Sequence, residues 1–324
     1  SIAVAWAMGN LGSDIRSYTS LRAGLRQRVV DVVSGVRNSL EDPGPRVGVM
    51  VERLRLVERV VAGAMGCELT GREILEIGPG QLFPQMIYFG RANSVTGIDL
   101  DVLAQGANLA PYWRMLRRNG PFRVAKTVAR KALGYDRRYQ RELGRALGLR
   151  RVPRLRCLQM DAAEMTFADE SFDAVMSFSV FEHLPDPGRV LREIRRVLRP
   201  GGVAYISIHL YTCDNGCHDP RLYGRSRAGL PLWAHLRPAY AGLVRPNAYL
   251  NKFRLADWTE VFEEHMAGTQ FERHCYGEEE ARASAQEIRR GGELGEYGDE
   301  ELFTVDLAAV WRKEGRIADC TAKH

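Results

Sequence analysis

Glu73-Ile74-Leu75-Glu76-Ile77-Gly78-Pro79-Gly80-Gln81, residues 73–81, is a short apolar run that ends in a glycine turn. Such a run reads as a buried strand. Glycine is the residue that lets the backbone come close to a ligand there, because it has no Cβ to block the approach. Working outward, Ser94–Ile98 is a second strand, Leu155–Gln159 a third and Phe172–Phe178 a fourth. Pro187–Leu198 carries Val190, Leu191, Ile194, Val197 and Leu198 at helical spacing. Val203–Leu210 follows as a fifth strand, entered through Pro200-Gly201-Gly202. A helix over Leu255–Met266, a strand near Phe271–Tyr276, a charged helix over Glu278–Arg290 and a last strand over Leu302–Trp311 complete the series. This alternation predicts an α/β fold, a seven-stranded and mostly parallel sheet with helices on both faces.

Ahead of this domain, residues 13–40 place Leu21, Leu25, Val29, Val32, Val33 and Val36 at helical spacing, up to the break at Asp42-Pro43-Gly44-Pro45. A second helix follows with Val49, Leu54, Val57, Val60 and Val61 as its expected buried stripe. The expected organisation is a helical cover over 1–70, a main domain over 71–315 and a tail over 316–324. The main domain holds a helical insertion at 102–154, punctuated at Asn119-Gly120-Pro121 and Gly134, and a substrate-side insertion at 211–254.

The composition suits a globular protein, with 45% hydrophobic residues in 324. No run reaches the roughly 18–20 apolar residues of a membrane-spanning helix. The opening Ser1–Met8 is apolar but lacks a basic flank, and it reads as helix or disordered end rather than a signal peptide. Six cysteines without a CxxC pair are expected to be reduced thiols in a cytoplasmic protein. The net charge of +6 is concentrated between Arg114 and Arg156, where Asp136 and Glu142 are the only acids. With Trp113, Phe122, Tyr135 and Tyr139 interleaved, residues 114–156 suit an RNA backbone, an anionic membrane surface or a basic lid, and the lid is favoured.

The glycine turn lies where ligands settle in an open parallel sheet, beyond the carboxyl ends of its strands. Asp99 ends the second strand at the spacing of a carboxylate that holds ribose hydroxyls. Asp101 is the alternative, or a helix cap. A dinucleotide fingerprint needs glycine at position 83, where Phe83 stands.

Met160-Asp161-Ala162-Ala163-Glu164, Phe167–Asp173, Ala174-Val175-Met176-Ser177, Phe181–Pro187 and Leu198–Gly202 follow in order. This run resembles the class I S-adenosylmethionine-dependent methyltransferases, in the branch that includes the ubiquinone-biosynthesis enzymes, over Ile74–Ile208. The resemblance implies a Rossmann-like methyltransferase fold with S-adenosylmethionine as cofactor and S-adenosylhomocysteine as product. It implies that Glu76, Gly78 and Gly80 line the methionine and ribose end, that Asp99 takes the ribose hydroxyls, and that Leu100 packs on the adenine. Asp161 would bond the adenine amino group, Ala162 would offer its backbone amide, and Ser177 would lie below the sulfonium. The usual third glycine is Leu82 here, a departure that alters the turn.

Glu182 and His183 suit a catalyst or a metal site. In some relatives a carboxylate three residues earlier helps bind a divalent cation; Ser179 stands there, so no metal is expected. Cys213, Cys217, His218 and Asp219 are of zinc-ligand types, but C-x3-C-H is a weak spacing and they read as loop residues. His183, His209 and His218 are the candidate general bases, beside Tyr211 and Asp214. Trp233, His235, Arg237, Tyr249 and Asn251 suit a sugar-like ring, or simply a long loop packed onto the domain. The expected activity is O-methylation of a small polar or glycan-like hydroxylated acceptor. RNA methylation and a non-catalytic cofactor-binding partner subunit are the rivals, and the oligomeric state is left open.

Overall fold

The computed structural model describes residues 42–101, 112–113, 116–117, 121–223, 227–275 and 278–315. The helix expected over 13–40 and the tail over 316–324 lie outside them. Helix α1, Gly44–Met65, starts behind Pro43 and stops at Gly66, whose φ of +74° suits glycine. Its buried stripe is Val47, Val51, Leu54, Val57, Val61 and Met65. The expected stripe was out of phase at its start. Val49 is 73% exposed, because it sits about 200° round the helix from Val47.

Strand β1 is Glu73–Ile77, followed by α2 (Pro84–Phe89) and β2 (Ser94–Asp99). Glu58 of α1 accepts hydrogen bonds from Tyr88 of α2 and from Arg91, which fastens the two helices together. The basic insertion forms α3, Pro121–Ala132, and α4, Tyr135–Ala146. The latter turns Tyr135, Tyr139 and Leu143 inward and packs against α1. Next come β3 (Arg156–Gln159), β4 (Phe172–Phe178), a 3-10 turn (Phe181–His183), α5 (Pro187–Val197) and β5 (Leu198–His209). The five inward residues expected from Val190 to Leu198 are all buried.

Gly201 does not enter β5; it lies inside it. Its N–H donates to Lys313 O, the Lys313 N–H donates to Gly202 O, and Gly201 has φ +79°. Two residues opposite one, with glycine in the left-handed region, is a G1 β-bulge. After α6 (Pro238–Ala241) come α7 (Leu255–His265), β6 (Gln270–Cys275), α8 (Glu278–Arg290), α9 (Asp299–Phe303) and β7 (Thr304–Arg312). Leu302 and Phe303, expected in the last strand, close α9 instead. Gly298 and three acids in the first turn, Asp299, Glu300 and Glu301, favour a helix start there.

The strands form a seven-stranded sheet in the order β3-β2-β1-β4-β5-β7-β6. The pairs β1–β2, β1–β4 and β2–β3 are parallel. The Leu210–Val305 and Gly201–Lys313 bonds run in opposite senses along the two chains, so β7 is antiparallel to β5. The chain divides into two compact units: described residues 178–191 and 206–309 form one, and 42–177, 192–205 and 310–315 the other. Among the described residues no helix is long and apolar enough to cross a membrane. Cys157, Cys213, Cys217 and Cys275 are free thiols. Cys67 is disulfide-bonded, which corrects the expectation of reduced thiols throughout.

Candidate functional site

Strand register brings the sequence motifs of the larger unit to one edge. Ile77 pairs with Ile98 on one side and with Ser177 on the other, and Asp99 pairs with Gln159. The carboxyl ends of four parallel strands therefore align, at the point where strand order reverses between β1 and β4. Gly78 and Gly80 turn the chain there at φ +71° and +65°, and the Gly78 N–H donates to Ile98 O at 2.8 Å. A Cβ on Gly80 would meet nothing within 4 Å, so open space lies beside the turn. Phe83, also left-handed at φ +57°, caps α2 and is buried.

Glu76 is 2% exposed, and burial pushes its pKa up to about 8. Asp99 is half-buried and its Oδ1 accepts the Asp101 N–H at 2.8 Å. Asp101 itself is buried, so Asp99 is the more accessible of the two carboxylates. Leu100 keeps 39% of its surface exposed, an apolar face beside that carboxylate. In the turn after β3, Asp161 Oδ1 accepts the Ala163 N–H at 2.8 Å, and Ala162 is buried. Ser177 is fully buried and its hydroxyl donates to Ile77 O at 3.3 Å, so it braces the turn from behind. A left-handed glycine turn, carboxylates at strand ends and an apolar face fit an adenosyl cofactor. A separate recess of about 290 Å³, lined by Thr96, Pro153 and Arg156, opens at the amino ends of β2 and β3 and is not this edge.

The other unit gathers the three candidate bases. The His183 and His218 rings lie 4.9 Å apart, and the His209 and His218 rings 5.0 Å. Glu182 joins them, 2% exposed, with both carboxyl oxygens lacking a hydrogen-bond partner. Its nearest cation-capable atom, His218 Nε2, is 4.0 Å from Oε1, too long for a hydrogen bond. Burial pushes Glu182 up to about 8. Burial, then the charges of His209 and His183, take His218 down to about 3. His183 is also lowered, chiefly by burial, while its Nδ1 lies 2.7 Å from Tyr249 O. His209 goes the other way. Burial disfavours its cation, but hydrogen bonds to Asp306 and Cys213 outweigh that and raise it to about 11.

Supporting residues hold the cluster. Asn251 donates from Nδ2 to Phe181 O and Leu184 O, and its own N–H reaches Glu182 O. Asp306, 3.6 Å from His209 Nδ1, was not singled out from the sequence. A lone carboxylate within the apolar run Leu302–Trp311 was the available signal.

Four of the five loop residues expected to suit a sugar are used in packing, and Tyr249 is half-buried. Trp233 is fully buried among Ala285, Leu294, Leu302 and Phe303. His235 Nε2 lies 2.7 Å from Tyr211 O, and Arg237 pairs with Glu293. Cys213, Cys217, His218 and Asp219 do not assemble among the described residues. Asp219 is bound by Arg221, and Cys217 packs with Leu222, Leu230 and Ala234.

Strand order, glycine turn and strand-end carboxylates are those of a Rossmann-like α/β fold with a ligand edge at its switch point, an arrangement that resembles the class I S-adenosylmethionine-dependent methyltransferases. Residues 122–206 match the family model described as a methyltransferase domain, a stretch that begins after β2, so the glycine turn stands on its own geometry. Over 76 residues the chain is 44% identical to a phosphatidylethanolamine N-methyltransferase of Cereibacter sphaeroides, covering 24% of this chain and 36% of that one. A Mycobacterium tuberculosis protein named "Probable S-adenosylmethionine-dependent methyltransferase" is 44% identical over 57 residues, 18% of this chain and 21% of that one. The chain thus spans about a third or less of the length of these curated relatives. A Haemonchus contortus phosphoethanolamine N-methyltransferase 2, solved with S-adenosylmethionine, has a TM-score of 0.43 at 16% identity, covering 80% of this chain and 52% of that one.

Proposed function

We propose that this chain transfers a methyl group from S-adenosylmethionine to a hydroxyl of a small polar acceptor. The observation that carries the cofactor half is the convergence of Gly78, Gly80, Asp99 and Asp161 at one edge of the sheet, at its switch point. Asp99 accepts the ribose hydroxyls, Leu100 covers the adenine, Asp161 and the Ala162 amide bond its edge, and Glu76 receives a donor from the amino-acid end. The bound cofactor supplies an electrophilic methyl on a sulfonium, so the protein's task is chiefly alignment and proton removal.

The acceptor half rests on the histidine cluster. Nδ1–H of His183, donated to Tyr249 O, leaves the Nε2 lone pair to take a proton, and burial keeps the ring neutral. His218 is neutral too. Burial disfavours the His209 cation, but its hydrogen bonds to Asp306 and Cys213 favour it more, which suits His209 to electrostatic support better than to taking a proton. Trp233, His235, Arg237 and Asn251 are used in packing, which leaves the half-buried Tyr249 as the one residue of the five still suited to a sugar-like ring. Tyr135 and Tyr139, which an RNA reading would use for stacking, are buried against the protein, which favours the cover or lid.

The test is transfer of labelled methyl to a panel of small hydroxylated acceptors, with ethanolamine-type amines and RNA as competing classes. Labelling of hydroxyl compounds that disappears in Asp99→Ala supports the reading. Labelling of amines or RNA alone overturns the acceptor, and no cofactor binding by the folded protein overturns the whole.

A further inference from the structure

Glu182, His183 and His218 each offer one ligand atom, and these atoms all lie within 4.8 Å of one another. Two belong to the 3-10 turn after β4 and the third comes from the loop after β5. We propose that these three residues bind one divalent ion of the zinc class, with a coordination position left for water or a substrate oxygen.

The polar atoms argue for it first. Both oxygens of Glu182 and Nε2 of His218 are buried without a hydrogen bond. Three such atoms in one place are costly, since each forgoes the water it held in the unfolded chain. One cation answers all three. The 4.0 Å from Glu182 Oε1 to His218 Nε2 is too long for a hydrogen bond. It is roughly 0.5 Å wider than two tetrahedral ligands of one zinc ion, each about 2.0–2.2 Å from it, so a small inward shift of either side chain completes the pair.

Orientation argues next. The His183 Nδ1 contact with Tyr249 O fixes the tautomer that presents Nε2, the outer-shell bond that metal-bound histidines usually make. His218 sits at φ +54°, an uncommon conformation for histidine, pinned by its N–H to Asn215 O and by the Asn247 N–H to its carbonyl. One carboxylate and two imidazoles is the donor set of many catalytic zinc sites, whereas magnesium and calcium prefer oxygen alone. Ser179 provides no carboxylate three residues before Glu182, and His218 supplies the third donor from a distant segment instead.

Ion binding stands independently of methyl transfer. Its consequence for the acceptor rests on the reading above but changes the base: with the ion bound, His183 and His218 are ligands and no longer take the proton, and the ion lowers the pKa of a coordinated hydroxyl so that its proton can pass to water.

The experiment is titration of the chelator-treated full chain with Co²⁺ alone, followed by visible absorption, with Zn²⁺ as competitor. The expected result is one ion per chain, a spectrum without a sulfur-to-cobalt band, and affinity weakened about 100-fold or more in Glu182→Gln and His218→Ala. The Cys213→Ser, Cys217→Ser double variant keeps its affinity within about threefold. No uptake by folded wild-type protein, a sulfur band, or loss of binding in the cysteine variant overturns the site. The wild-type stoichiometry and spectrum decide the matter even where a single variant fails to fold. S-adenosylmethionine binding, measured separately, shows whether a failure here also touches the methyl-transfer reading.

Discussion

The strand-end edge and the histidine cluster recognise ligands by different means. At the edge, backbone does much of the work: Gly78 and Gly80 shape the turn, parallel register sets the spacing, and Asp99 and Asp161 brace their own loops through local hydrogen bonds. In the cluster, side chains from the turn after β4, from β5, from the following loop and from β7 meet in a largely buried group, and one carboxyl has no hydrogen-bond partner. The edge depends on the sheet and is largely formed before any ligand arrives. The cluster depends on long-range struts, so its geometry should respond most to changes in the loop.

That contrast is most open to attack at Asp219. It is fully buried and binds the Arg221 guanidinium and the Arg245 N–H. Asp219→Ala is expected to cost about 3 kcal/mol in urea unfolding, because it strands a partly buried guanidinium. Cofactor affinity of the folded variant should stay within about threefold, and a parallel loss would join the two regions.

Glu76→Gln tests the edge by pH. The Glu76 pKa is raised on folding, so its contribution is favourable below the unfolded value near 4.5 and is lost as pH rises through about 8. Thermal melts of the cofactor-free wild type should therefore lose stability across that window. The Gln variant should lack this slope and be the more stable protein at pH 9. An unchanged slope would show that Glu76 is solvated.

Asp99→Ala should weaken S-adenosylmethionine binding by about 2 kcal/mol, roughly 30-fold by calorimetry, through loss of charge-assisted hydrogen bonds. Co²⁺ uptake should not change. The smallest effect is expected on α1, where Val49→Lys changes stability by less than about 0.5 kcal/mol, since the residue faces water.

Much of the edge was legible because its parts are contiguous. Glu73–Gly80, Ser94–Asp99 and Met160–Ala162 each carry their own local pattern, and parallel pairing needs only that order. The misreadings share a cause. Gly201 looked like a strand entrance because only Lys313, more than a hundred residues away, makes it a bulge. Val49 fitted an apolar stripe whose phase was set by contacts the sequence does not display. Trp233 and Asn251 looked like ligand groups because aromatic rings and amides serve packing as readily as recognition. In the cluster, His183, His209 and His218 could each be named singly, but nothing in their spacing brings His218 beside Glu182, and Asp306 needed the pairing of β7 with β5 to acquire a role.

The bulge at Gly201 also says where the chain can change length. A β-strand alternates faces at every residue, so losing one codon within 203–208 would exchange the two faces across part of β5 and turn its side chains over. Loss of Gly201 itself removes only the surplus residue, and the ladder closes over the gap with His209 still on its original face. Within this strand, natural length variation should therefore concentrate at residues 201 and 202, and the stretch leading to His209 should tolerate substitution far better than insertion or deletion.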